Sequence, residues 1–292
     1  MTLRFELFAL LLLLPVCALA ADSPASDAPS FSNSPSFSNS PSSSNSPSSA
    51  KSPADSQAAA AVTAADAVTP DRPGFTNGSD VVPKGRVQVE GGVTRNVYSA
   101  NSGAGHATDG PETLIRTGLS DTTELRITLP NYIWPSGTSG FSDGAIGVRY
   151  KFYQSKDGNT KFAFTPSLSV PLKTAVTTSG HVDPTLLLSG QTTSGARWGI
   201  SSNLILSYPT LNGSRQANYT ATAQVTYALS GPLAVFGDAY DNAVSGSLPS
   251  PIADAGFTYR VANNAQIDIE TGRGLGGTAP VQFYGGGVAV RF

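Results

Sequence analysis

The sequence predicts an all-β fold: a closed antiparallel transmembrane β-barrel of about twelve strands, preceded by a disordered arm. Three observations predict it. Charged residues are only 13% of the chain and 30 residues are glycine, yet beyond the N-terminus no apolar run is long enough to cross a membrane as a helix. After Gly85 the chain becomes a succession of segments of roughly ten residues in which apolar and polar residues alternate, the period of a strand with two unlike faces. The connections between them alternate between tight and long, as they do at the two rims of an outer-membrane barrel.

Taken in order, the first twenty residues are expected to be a secretory signal peptide. Arg4 precedes an apolar run from Leu7 to Leu14, and Ala18-Leu19-Ala20 places small residues where a signal peptidase reads. Cleavage there leaves a mature chain without cysteine, hence without disulfides or a thiolate metal site. Cys17 raises lipoprotein processing as a rival, but the residue before it is Val16 rather than a small one. Residues 21–69 are expected to be a disordered arm on the periplasmic side. Phe31-Ser-Asn-Ser-Pro-Ser36 recurs from Phe37 to Ser42 and, with a serine first, from Ser43 to Ser48. Proline at every sixth position forbids helix, and there is little apolar surface to offset the entropy of ordering. A flexible spacer is the plain reading and a tether to a partner the sharper one.

Residues 70–292 are expected to form the barrel. Alternating segments begin near Gly85, Glu112, Thr122, Ser142, Asn159, Asp183, Arg197, Arg215, Pro232, Pro251, Asn264 and Val281. An even number lets the sheet close with both ends on one side and no edge left in lipid. Ile146, Val148, Tyr150 and Phe152 are expected to face lipid, as are Tyr219, Ala221, Ala223 and Val225, and Ile267 and Ile269. The opposite parity places Glu90, Arg116, Glu124, Arg126, Arg149, Asp238, Asp254, Arg260, Asp268, Glu270 and Arg291 in the lumen, with Asp143 and Lys151. Their signs are interleaved along the chain. They are expected either to fill the bore with ion pairs or to line a polar path without strong ion preference. Tyr284, Val288, Val290 and Phe292 share a face, and the terminal aromatic resembles the signal read by the barrel-assembly machinery.

Other chemistry is thinly represented. A net charge of −2 carries no basic excess of the kind nucleic-acid binding needs. The two histidines, His106 and His181, fall in long connections, and no segment fixes either beside a serine and a third polar group as a lipid hydrolase at the rim would require. No catalytic residues, cofactor or metal ligands are expected, so the chain is read as a non-enzyme. Gly272-Arg-Gly-Leu-Gly-Gly277 has the look of a phosphate loop but is followed by no helical pattern.

Asp71-Arg72-Pro73-Gly74-Phe75-Thr76 stands just ahead of the first strand and reads as a rigid turn. With Val82, Lys84-Gly85, and Gln88, Glu90 and Gly92 at strand spacing, this run resembles the start of the outer-membrane family labelled putative phenol-degradation meta-pathway proteins, whose members are often called transporters. The resemblance covers roughly Thr69 to Phe292 and is most specific in this opening stretch. It implies a closed barrel in outer-membrane lipid and the passive passage of small, aromatic or apolar, molecules; it supplies no catalytic residues. A barrel serving only as a structural or surface scaffold is the alternative.

Overall fold

The computed structural model describes residues 67–99, 105–135, 138–173, 175–211, 213–244, 250–277 and 279–292. The expected signal peptide, with Cys17, and the hexad repeats lie outside them. Twelve strands form the barrel: β1 (Val87–Tyr98), β2 (Leu114–Gly118), β3 (Thr123–Thr128), β4 (Gly144–Gln154), β5 (Thr160–Val170), β6 (Pro184–Ser194), β7 (Trp198–Ser207), β8 (Asn218–Ser230), β9 (Leu233–Val244), β10 (Ile252–Ala262), β11 (Ala265–Gly274) and β12 (Gln282–Arg291). Each pairs antiparallel with its neighbours in sequence, and β12 returns to β1 from Gln88↔Arg291 to Val97↔Gln282. The sheet is therefore closed, and no barrel edge is left unpaired in lipid.

The two faces follow the period of two. Ile146, Val148, Tyr150, Phe152, Tyr219, Val225, Ile267 and Ile269 are exposed on the outer wall. Gln88, Glu90, Thr165, Ser189, Thr220, Thr222 and Gln266 are buried within. Such an inversion of polarity, with large apolar groups outside and charges inside, is stable only where the outside is hydrocarbon. Some aromatics depart from the scheme: Phe236 and Phe283 point inward and are 3% and 2% exposed, and Tyr240 shares the inward face of Phe236. A wide apolar hollow on the outer wall, bordered by Ile146, Val148, Leu168, Leu186 and Leu206, lies on this lipid-facing surface and not in the bore.

The rims differ as expected. Tight turns carry left-handed glycines at Gly158, Gly195 and Gly231, whose φ values are 77°, 59° and 49°. The opposite rim carries the longer connections and, among the described residues, the short strands Tyr132–Pro135, Gly140–Ser142, Ala175–Thr177, Thr210–Leu211 and Ser214–Arg215. The wall of β2 is interrupted. Gly105–Gly110 pairs with the upper half of β1 and Leu114–Glu90 marks the pairing of its lower half. Between them stand Pro111, which has no N–H for the ladder, and Glu112, held at a φ of 45°.

Phe292 sits at the barrel seam. Its N–H donates to the Val87 carbonyl at 2.7 Å, and Val87 N–H donates back at 3.2 Å. Deleting Phe292 removes both bonds at the closing register. Heat-modifiable barrel yield in outer membranes should fall sharply, whereas deleting residues 31–48 should leave it near wild type; equal yields from the two deletions would contradict the role given to the terminal strand.

Candidate functional site: a segment held inside the barrel

The residues just ahead of β1 do not form a turn outside the barrel. They enter the bore at the tight-turn rim, where Val68 N–H donates to the Asn263 carbonyl at 2.7 Å, and return to the same rim at Gly85, whose N–H donates to the Gly118 carbonyl at 2.9 Å. Between these points its contact with a strand, among the described residues, is a parallel bridge of Lys84 to Gly118, so the remaining backbone donors need side chains. The barrel wall provides them. Asp71 N–H donates to Glu90 Oε2 at 2.9 Å, Gly74 N–H to Glu270 Oε2 at 2.8 Å, and Phe75 and Thr76 N–H both to Asp238 Oδ2 at 2.8 and 2.9 Å. Further along, Asn77 N–H reaches Asn203 Oδ1 at 2.7 Å, Ser79 N–H reaches Gln191 Oε1 at 2.5 Å and Val82 N–H reaches Glu124 Oε2 at 2.7 Å. Bonds to charged acceptors are worth more than neutral ones, roughly 1.5–3 kcal/mol each. This arrangement explains why carboxylates point inward: several of them serve as a substitute ladder.

Gly74 is required here. Its φ is 82°, and a Cβ would stand 2.6 Å from Asp238 Oδ2 and 2.9 Å from Gln224 Nε2. Next to it, Phe75 forms the apex, with its ring centroid 5.0 Å from that of Tyr240 and 5.8 Å from that of Phe283.

Two adjacent charges brace the segment across the bore. Asp71 meets Arg126 Nη1 at 2.6 Å, Arg149 Nη2 at 2.8 Å and Arg116 Nη1 at 3.8 Å. Burial pushes its carboxyl up, but Arg116, Arg149 and Arg126 outweigh burial and hold it well below the ordinary carboxylate range. Arg72 points the other way, to Glu112 at 2.6 Å, Asp268 at 3.4 Å and Glu270 at 4.0 Å. Burial alone would lower its pKa; Asp268, Glu112 and Glu270 raise it above the usual value. Lower in the bore, Asp80 accepts from Lys161 Nζ at 2.6 Å. Burial works against this carboxylate, and Lys161 with the amide of Gln191 keeps its pKa low.

Thus the charges that are interleaved in sequence are segregated in space. Arg116, Arg126, Arg149 and Lys161 line the arc from β2 to β5, held together by Glu124 and Glu90; Asp238, Asp254, Asp268 and Glu270 line the opposite arc from β9 to β11. Arg116 and Arg149 are 0% exposed, which a guanidinium tolerates only with partners on every side.

Of the residues expected in the lumen, Glu90, Arg116, Glu124, Arg149, Asp238, Asp254, Asp268 and Arg291 are buried there. Arg126 and Glu270 also face inward, 11% and 8% exposed at the side chain. Arg260 keeps the inward parity, directly opposite the buried Gln266, but it lies at the tight-turn rim, where its side chain is exposed; the register shift follows it, before Ala262. Asp143 leaves the network as well and instead accepts from Leu172 N–H and Thr178 Oγ1, ordering a long connection. Lys151 bonds the exposed Gln154. The sequence reading missed Glu112, Lys161, Asn203 and Gln191, and it read the run from Asp71 to Thr76 as a rigid turn ahead of the first strand without seeing that it enters the bore. The available signal was an opposite-charge pair beside proline and glycine in a stretch with no alternation. Glu112 lay in a predicted strand, and its left-handed backbone is the local strain that turns the carboxylate toward Arg72.

His181 Nδ1 lies 2.7 Å from the Ser179 carbonyl oxygen, not from a serine hydroxyl. Among the described residues no group of three or more His, Cys, Asp or Glu side chains is spaced to hold a metal ion.

A closed twelve-stranded barrel with an apolar exterior, a charged interior and an N-terminal segment folded into the bore defines a β-barrel of the outer-membrane type. The chain belongs to the family described as "Putative MetA-pathway of phenol degradation", whose model matches residues 70–292. Among solved structures, it is similar in fold to the COG4313 outer membrane channel from Pseudomonas putida F1, at 14% identity, covering 76% of this chain and 99% of that one with a TM-score of 0.54. Weaker likenesses include the NanC porin, at 9% identity over 70% of this chain and 98% of that one with a TM-score of 0.49. The KdgM porin follows at 12% identity over 71% and 99%, with a TM-score of 0.48. The comparison with curated sequences yields no match.

Proposed function

We propose that the protein is an outer-membrane channel through which small molecules, aromatic or apolar ones among them, pass passively, and that the segment from Thr69 to Lys84 is its constriction. The observation that carries this reading is the way the obstruction is held. The segment is tied to the wall by side chains and not by strand pairing, so parts of it can shift without unzipping the barrel. The family description supports the aromatic class, as does the cluster of Phe75, Tyr240 and Phe283 at the apex. On this reading residues 1–20 are a signal peptide and the following arm lies in the periplasm, because the segment enters at the rim of tight turns. The barrel-assembly machinery is the folding partner and membrane lipid covers the outer wall.

A second reading has an observation of its own: the inserted segment spans the bore, as a closed scaffold would require. Liposome swelling separates the two. Wild-type barrels should admit small neutral solutes slowly. The Asp71→Asn/Arg72→Gln double variant, with both braces neutralised, should admit them several-fold faster. Liposomes that stay impermeable with both proteins would favour the scaffold.

A further inference from the structure

The acidic arc holds a group that the inserted segment does not satisfy. Asp238 is fully engaged: it accepts from Phe75 and Thr76 N–H and from Thr76 Oγ1 at 2.8 Å. Glu270 accepts from Gly74 N–H. Asp254 is 7% exposed, and neither of its buried oxygens has a hydrogen-bond partner. The register explains why. Asp254 lies directly opposite Asp238 on β9 and directly opposite Gly272 on β11. One neighbour repeats its charge and the other has no side chain. Carboxylates facing each other across a strand pair repel, and burial strengthens the repulsion. Arg72, the cation of this arc, is spent on Glu112, Asp268 and Glu270.

We infer that Asp254, with Asp238 beside it and Glu270 nearby, binds one small monovalent cation, an alkali ion or ammonium, on the long-loop side of the inserted segment. A chelated divalent ion is disfavoured, because among the described residues no three carboxylate or imidazole groups converge at ligand spacing. A single compact charge neutralises the facing pair without needing such a cage. Asp254 is the third residue of β10, which begins at the long-loop rim, so the ion reaches it from that side. The aromatic ring of Phe283 flanks the site: a Cβ placed on Gly272 would collide with both that ring and Asp254 Cβ.

The test is heat-induced unfolding of the full-length protein in detergent, at fixed ionic strength, in potassium, sodium or ammonium chloride against the chloride of the bulky N-methylglucamine cation. Wild type should melt about 3–5 °C higher in at least one small-cation salt, as expected for mass-action stabilisation of a barrel of this size. Asp254→Asn is isosteric and removes the unpaired charge, so it should fold and melt alike in all four salts. Asp157→Asn, which alters an exposed turn carboxylate, should keep the wild-type response. A wild type indifferent to the cation would show that Asp254 is neutralised by a proton and would overturn the inference, as would an undiminished response in Asp254→Asn. No flux enters the measurement, so failure of the channel reading and failure of the cation site are told apart.

Discussion

Asp71→Asn should destabilise the folded protein by roughly 3–5 kcal/mol, the cost of removing one partner from a buried ion network. In the wild type, Arg116, Arg126 and Arg149 face Asp71, Glu90 and Glu124, and the charges balance. Neutralising Asp71 leaves one buried positive charge without compensation, with two of the three guanidiniums fully enclosed. The loss falls on the seating of the segment as well as on the barrel, so proteolysis near Thr76 in the folded protein should rise together with the fall in stability. Unfolding by urea in lipid vesicles checks the first effect and limited digestion the second. The pH dependence has a definite sign. A carboxylate whose folded pKa is depressed contributes stability that is present above its unfolded pKa, about 3.9, and lost only as pH falls through the lower folded value. The difference between wild type and Asp71→Asn should therefore persist through mildly acidic pH and shrink only in strong acid. A difference that vanished between neutral pH and about 5 would show that Asp71 is not the ionised centre of the network.

Val225→Arg should cost roughly 2–4 kcal/mol, and Gln224→Arg far less, although the two positions are adjacent. Val225 on β8 is 44% exposed on the outer wall, where a guanidinium would stand in hydrocarbon. Gln224 faces the segment: its Nε2 donates to the Pro73 carbonyl at 3.2 Å and lies 3.5 Å from Asp238 Oδ2. An arginine there keeps polar surroundings and meets the acidic arc, so it should alter passage through the bore more than stability. Reversible unfolding in vesicles, with solute flux alongside, checks both. The opposite order of stabilities would mean that the faces of β8 are exchanged, since a shift of one residue inverts a strand. Two harmless substitutions would mean that this wall does not meet lipid.

The strands were legible because a strand's side-chain period is local. Tyr219, Ala221, Ala223 and Val225 declare a face within seven residues, whatever the rest of the chain does. Twelve such segments with alternating short and long connections are enough to imply closure. Which charges share the inner face was legible for the same reason; how far each is enclosed was not, since Arg260 holds that face at the tight-turn rim and is exposed there.

The arrangement of those charges was not legible. Alternation reports the face on which Arg149 and Asp254 lie but not the distance round the bore between them, which depends on strand order and stagger. Nor did the stretch from Val68 to Lys84 reveal its place. It carries no period, its donors are satisfied by Asn203, Asp238 and Glu270, and the partner of Gly74 is 196 residues away. The sequence by itself determined a barrel with two unlike faces, because that information resides in neighbouring residues. Only the tertiary structure decided that the bore is braced by its own N-terminal segment and divided into a basic and an acidic arc, because an irregular segment takes its conformation from the groups that answer its backbone, and those converge only once the sheet has closed.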